Sequence, residues 1–435
     1  MLHFLKHLFN QLFNRLLPAA ALIWFAMIPV SLAQVEPEHE LAELYELVYQ
    51  IVVIESETNN KTAIGSGFQV SETGLVITNY HVVSNMVFEP DHHRLEFVAQ
   101  DGSTGDLELL SFDVINDLAL LKREDAPREY LPLAQEVPIR GDSIFAIGNP
   151  HDIGMLMVSG AYNGLAESSY TDQILYSGSL NSGMSGGPTV NRAGEVVGVN
   201  VATAGSQLSF LIPVSKVYEL LPEVDNVLAP EDYLSHISTQ IDAFQDFYFN
   251  HLLNADWMLE DLGDRTQVPG EMGLDTTCWG RSNEDNEDAL ILQLTLQCNN
   301  SNNIFLRPNF FSGRLHYSYF YSEAKDIGSY HFHKLVGDRN YLPDNRATQQ
   351  EVTPYECEQS YISPAADEPQ DNYVQIGFCS RAYINIEGLY DTLFYRTSAG
   401  DAHALTTHFT LAGVNQDVAR RFTQRFMEEV RWKSL

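Results

Sequence analysis

The sequence predicts an all-β barrel or sandwich over its first half and an α+β domain over its second. Three observations carry this. Short β-branched and apolar runs bounded by Gly, Asn and Asp recur up to about Leu221, a helical spacing takes over after an acid- and proline-rich stretch, and every cysteine lies beyond that stretch. At 435 residues the chain exceeds what one hydrophobic core supports, so two domains are expected.

The first 33 residues read as a signal peptide. Lys6 and Arg15 are their only Lys or Arg, no acid precedes Glu36, and the apolar run "LLPAAALIWFAMIPVSL" ends in Ser31-Leu32-Ala33. Small residues there predict cleavage after Ala33 and an exported protein, periplasmic or secreted. The alternative is an uncleaved anchor, because Leu16 to Val35 is 20 uncharged residues. Once the segment is cleaved, no stable membrane insertion is expected.

Removing its two positive charges takes the net charge from −33 to −35. A chain so acidic, with no basic cluster, repels nucleic acid and anionic membrane surfaces.

Next come a short helix in "PEHELAELYELVYQ" and then the strands "IVVIES", "GSGFQV", "GLVITN", "LEFVAQ", "LALLK", "SIFAIG", "GEVVGVNV" and "LSFLIPV". They define a domain over residues 34–222. "PEVDNVLAPEDY" supplies a linker at 223–232, and an accessory α+β domain spans 233–435. Its elements are a helix in "YLSHISTQIDAFQDFYFNHLLNADWMLEDL", aromatic strands in "ALILQLTLQC", "RLHYSYFY" and "YVQIGFC", and a closing helix "NQDVARRFTQRFMEEVRW".

Cys278, Cys298, Cys357 and Cys379 lack the C-x-x-C spacing of a zinc site, and an exported chain meets oxidising conditions, so two disulfides are expected. The sequence-local pairs 278 with 298 and 357 with 379 are favoured, each across a hairpin. His331 and His333 stand two apart, which on a strand puts them on one face; exposed strand residues account for them, and no metal site is expected.

The chemistry concentrates in "LNSGMSGGPTVNRAGEVVGVNV", where Ser185 sits among glycines. A serine hydroxyl attacks only when a base takes its proton, and the base works best when a carboxylate fixes its tautomer. His81 follows the strand "GLVITNY", and Asp117 directly precedes the apolar strand "LALLK". Asp113 competes with Asp117 for the carboxylate role. The order His, Asp, Ser and the strand after Pro188 exclude a strand-to-helix nucleophile elbow, which needs the order Ser, acid, His.

The run "GSGFQVSETGLVITNYHVV", "DLALLK", "FAIGNP", "GMSGGPTVN" and "SFLIPV" resembles the trypsin-like serine peptidases, most closely the HtrA/Deg branch of exported bacterial proteases, over roughly Leu44 to Leu221. The resemblance implies an all-β double-barrel protease domain and a serine endopeptidase working without cofactor on protein or peptide substrates. It makes His81 the general base, Asp117 its orienter and Ser185 the nucleophile. The backbone N–H groups of Gly183 and Ser185 become the oxyanion hole. By analogy Ser179 lies near the floor of the primary pocket, with Ala202, Thr203, Ser209 and Leu211 as walls. No acid lies at that floor, so small or medium apolar side chains are expected rather than Lys or Arg. A protease-like binding or chaperone protein is the rival reading.

Two departures stand out. Met184 occupies a position where the family usually has Asn or Asp, which implies that no N-terminal activation switch operates. Residues 233–435 show no PDZ carboxylate-binding motif, so peptide capture by such a domain is not expected.

Overall fold

Strand runs rich in Val, Ile and Leu close into two barrels in the computed structural model. It describes residues 41–433 except 168, 170, 206, 207, 274, 302 and 337–344; of Ala42 and 202–205 it describes the backbone but not the side chains. The expected signal peptide lies outside the described residues.

The first barrel contains β1 (Val48–Glu55), β2 (Lys61–Gln69), β3 (Leu75–Thr78), β4 (His93–Val98), β5 (Thr104–Asp113) and β6 (Leu118–Lys122), closed in the order β1-β2-β3-β6-β5-β4. The second contains β7 (Ser143–Gly148), β8 (Leu156–Leu165), β9 (Ile174–Tyr176), β10 (Pro188–Val190), β11 (Val196–Gly205) and β12 (Leu208–Pro213), closed in the order β10-β11-β12-β9-β8-β7. All neighbouring strands are antiparallel. β4 alternates buried and half-buried residues, the period-2 signature of a barrel wall, whereas β1 is buried almost throughout. The segment of the expected initial helix enters the described residues at Leu41. A 3₁₀ turn covers Ala42–Leu47, and the apolar residues from Val48 onward join β1.

Helix α1 (Tyr80–Phe88) follows β3, and α2 (Val214–Leu220) follows β12. The acid- and proline-rich stretch forms two 3₁₀ turns, Leu221–Asp225 and Pro230–Asp232, that lead into α3 (Tyr233–Asn254).

Beyond α3 come β13 (Leu259–Leu262), β14 (Thr266–Pro269), β15 (Thr276–Ser282), β16 (Ile291–Asn300), β17 (Ile304–Arg307), β18 (Phe310–Ser312) and β19 (Leu315–Ala324). After α4 (Ser329–Val336) follow β20 (Glu356–Ile362), β21 (Tyr373–Ala382), β22 (Tyr390–Ala399), β23 (His403–Val414), α5 (Gln416–Glu429) and β24 (Arg431–Trp432).

Seven of these strands form one antiparallel sheet in the order β15-β16-β19-β23-β22-β21-β20. Phe249 and Leu252 of α3 and Phe422 and Phe426 of α5 pack on its aromatic face against Tyr317, Tyr319 and Phe409. α5 starts cleanly because the Asn415 side chain accepts from the Val418 N–H at 2.8 Å.

Cys278 bonds Cys298, and Cys357 bonds Cys379, each as directly opposed residues of an edge hairpin. The disulfides thus clamp both outer strands of the sheet to their neighbours.

One expectation is corrected. "SYHFHK" is the helix α4, so His331 and His333 point about 200° apart rather than to one face. Phe332 decides the conformation: it is fully buried with Ile291, Ala399 and Ala404, and Val336 one turn later packs against the same cluster.

Glu43–Leu435 forms one compact unit, and one apolar core runs through it from the first barrel into the second half. Tyr80 and Val83 of α1, Ile237 and Ile241 of α3, and Leu306 and Phe310 of the β17–β18 hairpin all belong to that core.

Candidate active site

Asp117 owes its position to the β5–β6 turn. Asp113 closes that turn as a local cap, its Oδ1 accepting from the Ile115 and Asn116 N–H groups at 2.9 Å each. Asp117 then adopts a left-handed conformation, φ 54°, which turns it toward the start of α1. Its carbonyl accepts from the Asn79 side chain at 2.8 Å and from the Tyr80 N–H at 3.2 Å. Its carboxylate accepts from the His81 N–H at 2.8 Å and lies 2.7 Å from His81 Nδ1. The two aspartates of the sequence are thereby separated: Asp113 shapes the turn and Asp117 meets the imidazole.

With Nδ1 held by the carboxylate as an N–H donor, Nε2 is left as the acceptor nitrogen. Burial works against protonation of His81, while the Asp117 charge and hydrogen bond work for it; together the latter win and hold the imidazole pKa above its ordinary value. The side chain keeps 29% of its surface exposed.

Ser185 follows β9 on the loop to β10, and polar groups from both barrels hold that loop. The Ser66 N–H donates to the Ser185 carbonyl at 2.8 Å, the Ser66 hydroxyl donates to the Gly183 carbonyl at 2.7 Å, and the same hydroxyl accepts from the Asn149 N–H at 3.0 Å. Asn200, fully buried, donates through Nδ2 to the carbonyls of Ile147 at 2.9 Å and Met184 at 3.2 Å. Gly186 has φ 83°, and a Cβ there would lie 2.8 Å from the N of Asn79, the residue that precedes α1. The serine loop therefore presses against the start of the helix that carries His81.

Ser185 Oγ donates to the Val201 carbonyl at 2.8 Å, not to His81. Gly183 has φ 96°; a Cβ there would meet the Asn149 carbonyl oxygen at 2.4 Å. The Ser182 carbonyl accepts from the His151 N–H at 2.9 Å, so the trans peptide turns the Gly183 N–H to the opposite side. Among the described residues, neither the Gly183 nor the Ser185 N–H is engaged by another group of the chain.

Met184 is fully buried in the core of the second barrel beside Ala146, Tyr176 and Leu180. Its apolar side chain fastens the loop from below, where a charged residue would need a partner.

Of the expected pocket residues, Ser179 is exposed and Ser209 is buried, its hydroxyl accepting from the Leu180 N–H at 3.2 Å. Leu211 is shut inside the barrel core. The side chains of Ala202 and Thr203 lie outside the described residues; their backbones pair with Phe210 and Ser209.

Sequence reasoning left out Ser66, Asn149 and Asn200, although each stands in a quoted run: "GSGFQV", "FAIGNP" and "GEVVGVNV". A polar residue inside an apolar strand, as in "VGVN", was the available signal, because such a residue is tolerated only with partners. A fourth omission, Phe305, had no local signal. It belongs to the second half of the chain, yet its ring meets that of His81 edge-on at a centroid distance of 6.0 Å.

A family model described as "Trypsin-like peptidase domain" matches residues 65–199. Over 174 residues the chain is 37% identical to serine protease HTRA1 of Xenopus tropicalis, a match covering 38% of this chain and 36% of that protein. It is 35% identical over 164 residues to the "Probable periplasmic serine endoprotease DegP-like" of Rhizobium meliloti, covering 35% and 31% respectively. The chain thus spans about a third of the length of the curated relatives it matches. A solved structure, the serine endoprotease from Yersinia pestis, aligns at 24% identity and TM-score 0.39 over 43% of this chain and 66% of its own.

Proposed function

We propose that this chain, which carries a trypsin-like peptidase domain, is an exported serine endopeptidase that cuts peptide bonds through an acyl-enzyme. The contact that carries the reading is the 2.7 Å approach of Asp117 Oδ2 to His81 Nδ1. It leaves Nε2 as a base beside the loop of Ser185.

In the proposed reaction Ser185 turns about its Cα–Cβ bond, exchanging the Val201 carbonyl for His81 Nε2. Its oxygen attacks the substrate carbonyl as the proton passes to Nε2, and the resulting oxyanion accepts from the Gly183 and Ser185 N–H groups. Collapse breaks the C–N bond, with the amine leaving on the proton returned by His81. A water molecule then repeats the sequence on the acyl-enzyme and frees Ser185. Asp117 stays ionised throughout and stabilises the imidazolium.

The absence of a carboxylate at Ser179 supports cleavage after small or medium apolar residues rather than Lys or Arg. The "MLHFLKHLFN…SLA" leader and the two disulfides support action on exported proteins, in envelope quality control or regulated proteolysis.

The Ser185 bond to the Val201 carbonyl is the one observation that favours the rival reading, a protease-like binding protein. Casein digestion and labelling by a fluorophosphonate separate the two. Wild-type protein that cuts and labels, with Ser185→Ala folded but silent in both, supports the peptidase. A Ser185→Ala variant that still labels, or wild-type protein inert toward both reagents, overturns it.

A further inference from the structure

We infer that Phe305, carried by the C-terminal half of the chain, is a positioning residue for His81, so that the accessory domain completes the peptidase centre. The inference rests on the assignment of His81 as general base.

The β17–β18 hairpin stands outside the seven-stranded sheet and docks on α1 instead. Along β17 burial alternates: Ile304 and Leu306 are buried in the core shared with Tyr80, Val82 and Val83, while Phe305 and Arg307 are half-buried, Phe305 packing at the margin of that core.

The docking is specific as well as apolar. The Tyr80 hydroxyl, one residue before His81, donates to the Leu306 carbonyl at 2.8 Å. Arg307 pairs with Glu89 just past the end of α1 at 3.0 Å, and its guanidinium lies 5.1 Å over the Phe88 ring. The hairpin is thus pinned at both ends of the helix that bears His81. Phe305 directly precedes these two pinned residues, its ring lies at 76° to the imidazole, and the Phe311 ring braces it at 5.5 Å and 82°.

This contact supplies what Asp117 does not. The carboxylate contacts the imidazole at Nδ1, on one edge of the ring, and does not brace the remainder of it against rocking. An aromatic edge packed against the imidazole restricts the rocking and so fixes where Nε2 points. Proton transfer depends steeply on that direction, and a misplacement of about 1 Å costs as much as 10²-fold in rate.

The test measures kcat and KM on one peptide substrate for wild type, Phe305→Ala and Phe305→Tyr, with thermal unfolding as the check on folding. Phe305→Ala is expected to lower kcat about tenfold with KM changed less than twofold, and Phe305→Tyr, which keeps the ring, to stay within twofold of wild type. An unchanged kcat in Phe305→Ala, a loss confined to KM, or a Tyr variant as impaired as the Ala variant overturns the inference. If wild type neither cuts nor labels, the peptidase assignment falls and takes this inference with it. If wild type is active and Phe305→Ala equals it, only the positioning role falls.

Discussion

Replacing Gly183 by alanine tests the proposed oxyanion hole directly. The residue holds φ 96°, where a Cβ costs about 1–2 kcal/mol. The added carbon also meets the Asn149 carbonyl oxygen at 2.4 Å and the His151 nitrogen at 3.1 Å, both backbone atoms. Asn149 is not free to retreat, because its N–H is bonded to the fully buried Ser66 at 3.0 Å. The Ser182–Gly183 peptide must therefore yield, and its N–H loses its aim. A lost oxyanion donor costs about 3 kcal/mol of transition-state stabilisation, or 10²–10³ in kcat. KM should change little, since the donor acts on charge that develops only during reaction. Steady-state kinetics on a peptide ester or casein, with fluorophosphonate labelling rates measured in parallel, read both quantities. Labelling should slow with kcat, while unfolding shows at least the backbone cost of about 1–2 kcal/mol, with the contact to the Asn149 carbonyl added to it. A kcat/KM within threefold of wild type refutes the placement of the donor at residue 183.

Three further outcomes are expected, two from the His81–Asp117 pair and one from the disulfides. The rise of kcat/KM with pH should have its midpoint above 6.5, because the Asp117 charge and hydrogen bond outweigh the effect of burial on His81 and keep it protonated to higher pH. Asp117→Asn removes both raising contributions and leaves burial, so the limb moves to lower pH while kcat drops about 10⁴-fold; a shift to higher pH contradicts this account. The four cysteines should be unreactive toward thiol reagents until reduced, and reduction should cost about 3 kcal/mol per bond for loops of 20 and 22 residues, read as a lower denaturant midpoint. Free thiols in protein taken from its own compartment refute the pairing as a native feature.

Local pattern made much of this molecule readable. Short β-branched and apolar runs bounded by Gly, Asn and Asp marked most strands of both barrels, and the spacing of "NQDVARRFTQRFMEEVRW" marked α5 almost to the residue. The hairpin cysteines were readable for the same reason, since each pair is close in sequence and lies on facing strands. β22 and β23, at the centre of the C-terminal sheet, escaped notice. Both place polar residues at buried positions, among them Asp391, Thr392, Ser398, Thr406, Thr407, His408 and Thr410, so neither an unbroken apolar run nor a period-2 contrast marks them. The two-residue spacing of His331 and His333 suits a strand as well as any other element, and the packing of Phe332 and Val336 on one cluster accompanies the helix α4 instead.

By itself the sequence determined the two-part organisation, the strand-rich first half and the residue types and order of His81, Asp117 and Ser185. Those are matters of local spacing and side-chain chemistry. Tertiary structure alone decided that Asp113 caps a turn while Asp117 faces the imidazole, that Met184 is a core residue, and that Ser66 of one barrel holds Gly183 of the other. It also brought Phe305 to His81, 224 positions back along the chain. Such contacts leave no local trace, because they depend on where folding brings distant segments and on which buried polar groups then need a partner.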